Sequence, residues 1–310
     1  MSTVTNTDSL GPGVQGVRVQ TASRTRPFYW SLRREIWEHR AIYVAPLAVA
    51  GLVLLGYLIR LSRLPQTVRH AATLPWWKQY LELALPFAMG MAAVLVTGVI
   101  VGVFYCIGAL GNERRDRSIL FWKSLPVSDL TTVLAKATIP MVVIPVVVTI
   151  VALLVQFVML AAATGALAAS GSGTQLLWSH WSFPHMSLTL IYLVVTGTLW
   201  YAPIYGWLLM VSAWARRMTF LWAVLTPVGL AVVERIAFDT NYVGSLIRYR
   251  LKGFVDLAFV EPPHNTTTID PTALMTPAHF FGSPGLWLGL VVAVAFVAAA
   301  VWLRRGREPA

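Results

Sequence analysis

The chain has 310 residues, of which 57% are hydrophobic and only 12% are charged. Soluble domains carry about 25% charged residues, so this composition excludes an ordinary soluble enzyme and a disordered protein. Lys and Arg outnumber Asp and Glu by 24 to 13. In so apolar a chain this excess indicates basic residues beside a membrane rather than a nucleic-acid-binding surface. The single cysteine, Cys106, excludes an intrachain disulfide and a zinc site built of thiolates.

The N-terminal region divides into a polar tail and an amphipathic helix. Residues 1–25 contain three glycines and scattered serine and threonine, which predicts a flexible cytoplasmic tail. Residues 27–40 predict a helix that lies flat on the membrane surface. Its apolar arc holds Phe28, Tyr29, Leu32, Ile36 and Tyr43, while Arg34, Glu35 and Glu38 are predicted to face the other way. The candidate interfacial residues are Arg33, Arg34, Glu35, Trp37 and Glu38. A helix that serves only as a membrane anchor is the alternative.

Six stretches contain no Asp, Glu, Lys, Arg or His. A spanning helix needs about 20 apolar residues, and these stretches predict six spans. They are Ala41–Ile59, Leu83–Leu110, Ala137–Ala169, Met186–Ala215, Met218–Val233 and Leu286–Leu303. The fifth is short, and we extend that span to about residue 236; only Arg216 and Arg217 separate it from the fourth, which predicts a tight hairpin. The sequence therefore predicts an all-α polytopic membrane protein: one transmembrane domain over residues 26–310, with an outer segment at about 237–284.

The distribution of basic residues predicts the orientation of the spans. With both termini in the cytoplasm, two thirds of the Lys and Arg residues fall on the cytoplasmic side, as the positive-inside rule requires. The first outer loop departs from this rule, because it carries Arg60, Arg63, Arg69 and Lys78. Orientation alone does not explain those four charges.

Residues 111–136, between the second and third spans, carry the densest charge in the chain. A mixed cluster, residues 113–117, is followed directly by the apolar and aromatic run Ile119–Trp122. Pro126 ends that helix, and Ser128 or Asp129 is expected to cap the next one. A solvated loop would explain the arginines but not the interleaved acids or the aromatic run. The pattern favours a cytoplasmic coupling helix that docks a soluble partner.

Several catalytic and transport mechanisms lack the residues that they need. The sequence has no P-loop, so it provides no such cradle for nucleotide phosphates. His180 and His185 lack a nearby carboxylate, and we assign no metal site. Ion-driven transporters keep ionisable groups inside their spans, whereas here Gln156 is the main polar side chain at depth. An intramembrane hydrolase is disfavoured because no His lies in a span.

Three motifs together resemble the permease subunit of type-2 ABC exporters. They are LRREIWEHR at Leu32–Arg40, ERRDRSILFWKSLPVSD at Glu113–Asp129 and WARR at Trp214–Arg217. The middle motif is the most specific, because a charged cluster followed by SLPVS at the entry to the third span is typical of these permeases. The resemblance extends over most of the chain.

The resemblance implies a fold, partners and site residues. Two permease chains would pair in a bacterial cytoplasmic (inner) membrane, and each would dock a separate ATP-binding subunit that holds ATP and Mg²⁺. This chain would then be a transport subunit without an ATPase site or cofactor of its own. The implied coupling surface is Glu113, Arg114, Arg115, Asp116, Arg117 and Ser118, with Phe121, Trp122 and Pro126 behind it. Short re-entrant helices are implied between the fifth and sixth spans, one of them at Gly244–Gly253.

The substrate pathway is implied to lie along the dimer axis. Its candidate residues are Trp200, Tyr201, Tyr205 and Gln156. An aromatic belt at the membrane interface explains some of these aromatics without a substrate. Pro140, Pro145 and Pro203 would kink spans around a pathway or serve only as structural kinks. A membrane-embedded sensory or assembly scaffold that signals through residues 111–136 is the alternative function.

Overall fold

The computed structural model describes residues 25–112, 128–215, 217–260 and 271–306. Within these ranges the secondary structure is helical, apart from one isolated antiparallel bridge between Phe259 and Met275. The helices, numbered along the described chain, are α1 Thr25–Glu38, α2 Ala41–Leu61, α3 Leu64–Ala71, α4 Trp76–Leu83, α5 Leu85–Ala109, α6 Asp129–Thr138, α7 Ile144–Ala169, α8 Gln175–His180, α9 Phe183–Trp214, α10 Thr219–Phe238, α11 Tyr242–Ala258, α12 Pro277–Gly282 and α13 Pro284–Gly306. A π-helical turn, Ile139–Val143, joins α6 to α7.

Six helical segments are long and apolar enough to cross a membrane. They are α2, α5, α6 with α7, α9 with α8, α10 and α13. The prediction of an all-α protein with six spanning helices is confirmed, and the chain is an integral membrane protein. The short fifth span is also confirmed as a helix, since α10 reaches 20 residues. It pairs with α9 in the predicted hairpin, where the indole Nε1 of Trp207 donates to the Ala223 carbonyl at 3.0 Å.

The third span is much longer than a bilayer requires. Asp129–Ala169 forms 41 residues of continuous helix, about 60 Å long at 1.5 Å per residue, which is twice the hydrocarbon thickness. Pro140 lies in the π-helical turn and has no N–H to donate to the helix. A π turn adds one residue to the helical repeat, so the side chains before and after it change their facing direction.

Polar contacts define one end of the bundle, which we call the proximal end. There α1 contacts α6, and the last turn of α13 contacts the first residue of α6. The short helices α3, α4 and α8 lie at the opposite, distal end. Trp181 is fully buried there and stacks on Phe87, with ring centroids 4.9 Å apart. The two ends therefore differ in chemistry: polar at the proximal end, aromatic at the core of the distal end.

Between the two ends, small residues let the spans approach closely. Tyr205 of α9 fills the space beside Gly102 of α5. A Cβ atom at Gly206 would lie 3.1 Å from the backbone oxygen of Ala293 and 3.3 Å from Cβ of Phe296. In lipid the hydrophobic effect contributes little to the association of helices, so van der Waals contacts at such close approaches supply much of the attraction between them.

We expect Gly206→Leu to destabilise the bundle. The new side chain would have to push apart α9 and α13, and overpacking of this kind costs about 1–3 kcal/mol. Gly51→Leu on α2 is the matched control, because a Cβ atom there meets no atom within 4 Å. Thermal unfolding in detergent micelles should show a lower midpoint for the Gly206 variant only. Equal midpoints for the two variants would contradict the close α9–α13 packing.

Candidate functional site

Glu35 is the buried acid at the centre of the proximal end. It is 3% exposed, which corrects the prediction that it faces away from the apolar arc of α1. Leu32 and Ile36 do pack against the main core, whereas Tyr29 is 56% exposed. Glu35 lies one residue before Ile36 and three after Leu32, at the margin of the predicted arc. Burial there requires a partner for its charge, which the hydrophobic pattern of α1 alone does not reveal.

Lys136 of α6 supplies that partner. Its Nζ lies 2.7 Å from Oε1 of Glu35, and Lys136 is 2% exposed. Val133 and Lys136 are both buried, three residues apart on the same face of α6. The pair joins α1 to the helix that continues into the third span, one turn before the π-helical turn.

Further side chains surround the same carboxylate. Tyr105, near the end of α5, donates its hydroxyl proton to Oε2 of Glu35 at 2.8 Å. Nη2 of Arg34 lies 3.7 Å from Oε1, and Nδ1 of His39 lies 3.7 Å from Oε2. The His39 ring also packs edge-on against the Tyr105 ring, with centroids 4.9 Å apart. Three helices, α1, α5 and α6, therefore meet at one buried carboxylate, and we call Arg34, Glu35, His39, Tyr105 and Lys136 the proximal charge cluster.

The energetics of the cluster favour a fixed geometry. Removing two charges from water costs several kcal/mol per ion. The Coulombic attraction between the two ions offsets this desolvation penalty only when their geometry is good and further hydrogen bonds are formed. The 2.7 Å ion pair and the Tyr105 hydroxyl meet both requirements. Loss of one partner would leave an uncompensated buried charge, which costs about 3–5 kcal/mol. The three helices are therefore expected to move together rather than to separate.

A second pair of polar contacts fixes the chain on either side of residues 113–127. On the N-terminal side, the Ser212 hydroxyl oxygen accepts from the backbone N–H groups of Leu110 and Gly111, both at 3.1 Å, and donates to the Ile107 carbonyl. The Ile107 carbonyl is one of the last four of α5, which have no N–H partner within the helix. On the C-terminal side, Nε of Arg304 donates to Oδ1 of Asp129 at 2.9 Å.

Ser128, one of the two candidate caps from the sequence, is the N-cap of α6. Its side-chain oxygen accepts from the backbone N–H of Thr131 at 3.1 Å, which is the N-cap interaction. Asp129, in the first turn, adds a favourable charge at the helix N-terminus. The structure thus resolves the two caps that the sequence left open: Ser128 caps the helix, and Asp129 pairs with Arg304.

The predicted coupling surface itself lies outside the described residues. This applies to Glu113, Arg114, Arg115, Asp116, Arg117, Ser118, Phe121, Trp122 and Pro126. What the structure does describe is the attachment of both ends of this segment to the bundle, through Ser212 and through Asp129.

The exposed side of α1 carries the other predicted interfacial residues. The Arg33 guanidinium lies over the Trp37 and Trp30 rings, 4.7 and 5.3 Å from their centroids. Arg34 pairs with Glu38 at 3.2 Å, and Trp37 is 66% exposed. An exposed strip of aromatic and basic side chains is what a helix at a membrane surface presents.

The four candidate pathway residues hold helices together in this structure. Gln156 is fully buried and donates to Sδ of Met91 at 3.0 Å, while its Oε1 has no hydrogen-bond partner among the described residues. Tyr205 packs on α5, as described above. Trp200 and Tyr201 donate to backbone carbonyls of α11, Trp200 to that of Arg250 at 2.9 Å. Their role in a pathway stays a prediction.

The α11 helix includes the predicted re-entrant segment Gly244–Gly253. Its Arg250 guanidinium lies 4.5 Å from the Trp200 ring centroid and donates to the carbonyls of Trp200 and Gly285, at 3.3 and 2.6 Å. Phe254 adds apolar contact with Trp200 and Phe280. Arg250 thus joins α11 to both α9 and the start of α13.

The sequence signals for the proximal charge cluster are weak. Lys136 is the last charge before the long apolar stretch Ala137–Ala169, and a snorkelling lysine at a span end is ordinary. Tyr105 looks like any interfacial aromatic. No group of three or more His, Cys, Asp or Glu side chains in the described ranges is arranged to hold a metal ion.

Comparisons add no relative of known function. No protein-family model, curated protein or solved structure compared with this chain matches it. The function is therefore inferred from the sequence and from the geometry of the proximal end.

We expect Glu35→Gln or Lys136→Met alone to lower the free energy of unfolding by about 3–5 kcal/mol, because each leaves one buried charge unpaired. The double variant should lose less than the sum of the two single losses. Unfolding in detergent micelles, followed by tryptophan fluorescence, measures all three.

Glu38→Gln is the matched control for this cycle. Glu38 lies on the same helix, with its side chain 55% exposed, and pairs with Arg34 at the surface. Its loss should cost less than about 1 kcal/mol. A Glu35 variant as mild as the Glu38 variant, or strictly additive losses at Glu35 and Lys136, would contradict a coupled buried pair.

Proposed function

We propose that this chain is the permease subunit of an ATP-driven exporter, oriented with its proximal end in the cytoplasm of a bacterium. The observation that carries the proposal is the buried Glu35–Lys136 pair, which joins the amphipathic helix to the helix leading from residues 113–127 into the third span. The resemblance of Glu113–Asp129 to the type-2 ABC permeases supports the same assignment.

The mechanical consequence is a direct connection between the docking segment and the membrane. Residues 113–127 are held at both ends by Ser212 and Asp129. A force applied to this segment passes into α6 and then along 41 residues of continuous helix to the distal end. Because Glu35 ties α1 to the same helix, α1 would follow that movement.

The energy comes from a second protein in this proposal. The sequence lacks a P-loop, so ATP and Mg²⁺ would be bound by a separate ATP-binding subunit. The chain itself would be a transport subunit rather than an enzyme. Its six charge-free stretches offer no carrier group for a proton or sodium ion, which is consistent with a pathway opened mechanically.

The exposure of α10 supports a pairing of two permease chains. Only 6% of its most apolar stretch is buried, against 22–33% for the other five spans. Small side chains and an unoccupied surface allow close approach by another helix, since a Cβ atom at Gly229 would meet nothing within 4 Å. We assign this surface to the homodimer contact, beside which the pathway would form.

Charge reversal tests the coupling segment. We expect the double variant Arg114→Glu with Asp116→Arg to weaken the complex with a co-expressed ATP-binding subunit by at least about tenfold, since reversal replaces attraction by repulsion. Co-purification and permease-stimulated ATPase activity measure the effect.

Arg248→Glu provides the control for that experiment. Arg248 is exposed on α11, away from the proximal end, so its reversal should leave complex formation and ATPase stimulation unchanged. Undiminished coupling in the double variant would contradict the proposal and favour a scaffold that signals to another kind of partner.

Cysteine crosslinking tests the dimer contact. Cys106 is fully buried and provides little background. We expect single cysteines at Leu225 and Val228 on α10 to form dimers with a short bifunctional thiol reagent in membranes, whereas Ile100→Cys on α5 should not. Ile100 is exposed to a similar degree, at 50%, so equal crosslinking at all three positions would indicate random collision and contradict an α10 interface.

A further inference from the structure

Some of the basic residues between the first and second spans line a groove at the distal end. Arg60, Arg63 and His70 come together around an open groove of about 550 Å³. Its lining residues are Arg60, Arg63, Gln66, Thr67, His70 and Glu82. Two of the four charges that orientation does not explain are therefore gathered at one place.

The groove is formed by the amphipathic helix α3. Leu64, Val68 and Ala71 are buried on one side of this helix, so the lining residues of α3 are turned outward. Arg60 extends from the last turn of α2 and donates through Nη2 to the backbone carbonyl of Glu82 at 2.9 Å. This contact joins the two walls of the groove and holds one guanidinium in place.

The groove has more hydrogen-bond donors than its own acceptors use. Within the described chain, the side chains of Arg63, Gln66 and His70 form no hydrogen bond or ion pair. The Glu82 carboxylate is also without a partner there and is the one acidic group of the lining. With two arginines against one glutamate the groove is net positive. A group that brings several acceptor oxygens and a negative charge fits this chemistry.

The position of the groove along the spans points to a lipid headgroup. Arg60 lies 19 residues beyond Ala41 in α2, about 28 Å along the helix, which is close to the hydrocarbon thickness. On the adjacent α4, Trp77 is 49% exposed, and Lys78 lies over its ring at 5.2 Å. Exposed Trp and Lys are typical of the membrane–water interface, so the groove opens at the level of the lipid phosphates.

We propose that this groove binds the phosphate of an anionic phospholipid headgroup in the distal leaflet. Arg63 and Arg60 would hold the phosphate oxygens, with Gln66 and His70 as further hydrogen-bond donors beside them. Glu82 at the opposite wall would weaken the site and tune its affinity. The proposal depends on the membrane-spanning fold and not on the ATP-binding partner.

Native mass spectrometry of the purified full-length chain tests the proposal. Phosphatidylglycerol and phosphatidylcholine with identical acyl chains are titrated separately. We expect tighter binding of phosphatidylglycerol, and Arg63→Ala should weaken that binding about fivefold, the usual contribution of one basic side chain at an anionic membrane surface. Glu82→Gln should strengthen it, a gain that a misfolded protein would not produce.

Arg69→Ala is the matched control, because Arg69 lies on α3 outside the groove lining and donates to the Pro65 carbonyl. It should leave the preference for phosphatidylglycerol unchanged. Equal binding of the two lipids, an equal loss at Arg69 and Arg63, or no gain with Glu82→Gln would overturn the proposal. Displacement of phosphatidylglycerol by inorganic phosphate at comparable concentration would also overturn it, since the ligand would then be a free anion.

Discussion

The contact between Glu35 and Lys136 sets the geometry of the whole proximal end. A buried carboxylate and a buried ammonium 2.7 Å apart stabilise each other only while they stay together. This requirement holds α1 against α6, and the Tyr105 hydroxyl adds α5 to the same assembly. The first helix, the second span and the third span are thereby joined at one point, although apolar packing alone would allow them to slide.

The membrane-embedded part of the molecule is held in a different way. Its spans carry few polar contacts between helices, and close approach at small residues such as Gly102 and Gly206 replaces them. Packing contacts of this kind are numerous and individually weak, so they tolerate small displacements better than a buried ion pair does. The proximal end is therefore held by a buried ion pair and the spans by packing, an arrangement consistent with the function proposed above.

At the distal side, Arg250 plays a part comparable to that of Lys136, but with neutral partners. It ties α11 to α9 and α13 through the carbonyls of Trp200 and Gly285 and through the face of the Trp200 ring. A cation held by carbonyls can be released at less cost than one held by a buried carboxylate, because no opposite charge is left behind. Of these two contacts, the one at the proximal end is therefore the stronger polar constraint.

The sequence by itself determined the helical class, the six spans, an amphipathic helix near residues 27–40 and an N-cap at Ser128 or Asp129, because each follows from local composition or a few adjacent residues. It placed Glu35 on the wrong side of its helix. Lys136, the ion-pair partner that stabilises the buried Glu35 carboxylate, is 101 residues away in the sequence. The spacing of apolar residues within α1 contains no information about it. Only the tertiary structure decided that Glu35 pairs with Lys136, that Asp129 pairs with Arg304, and that Trp200 packs on α11. These contacts depend on how separate helices meet, whereas crossing a membrane depends on each helix alone.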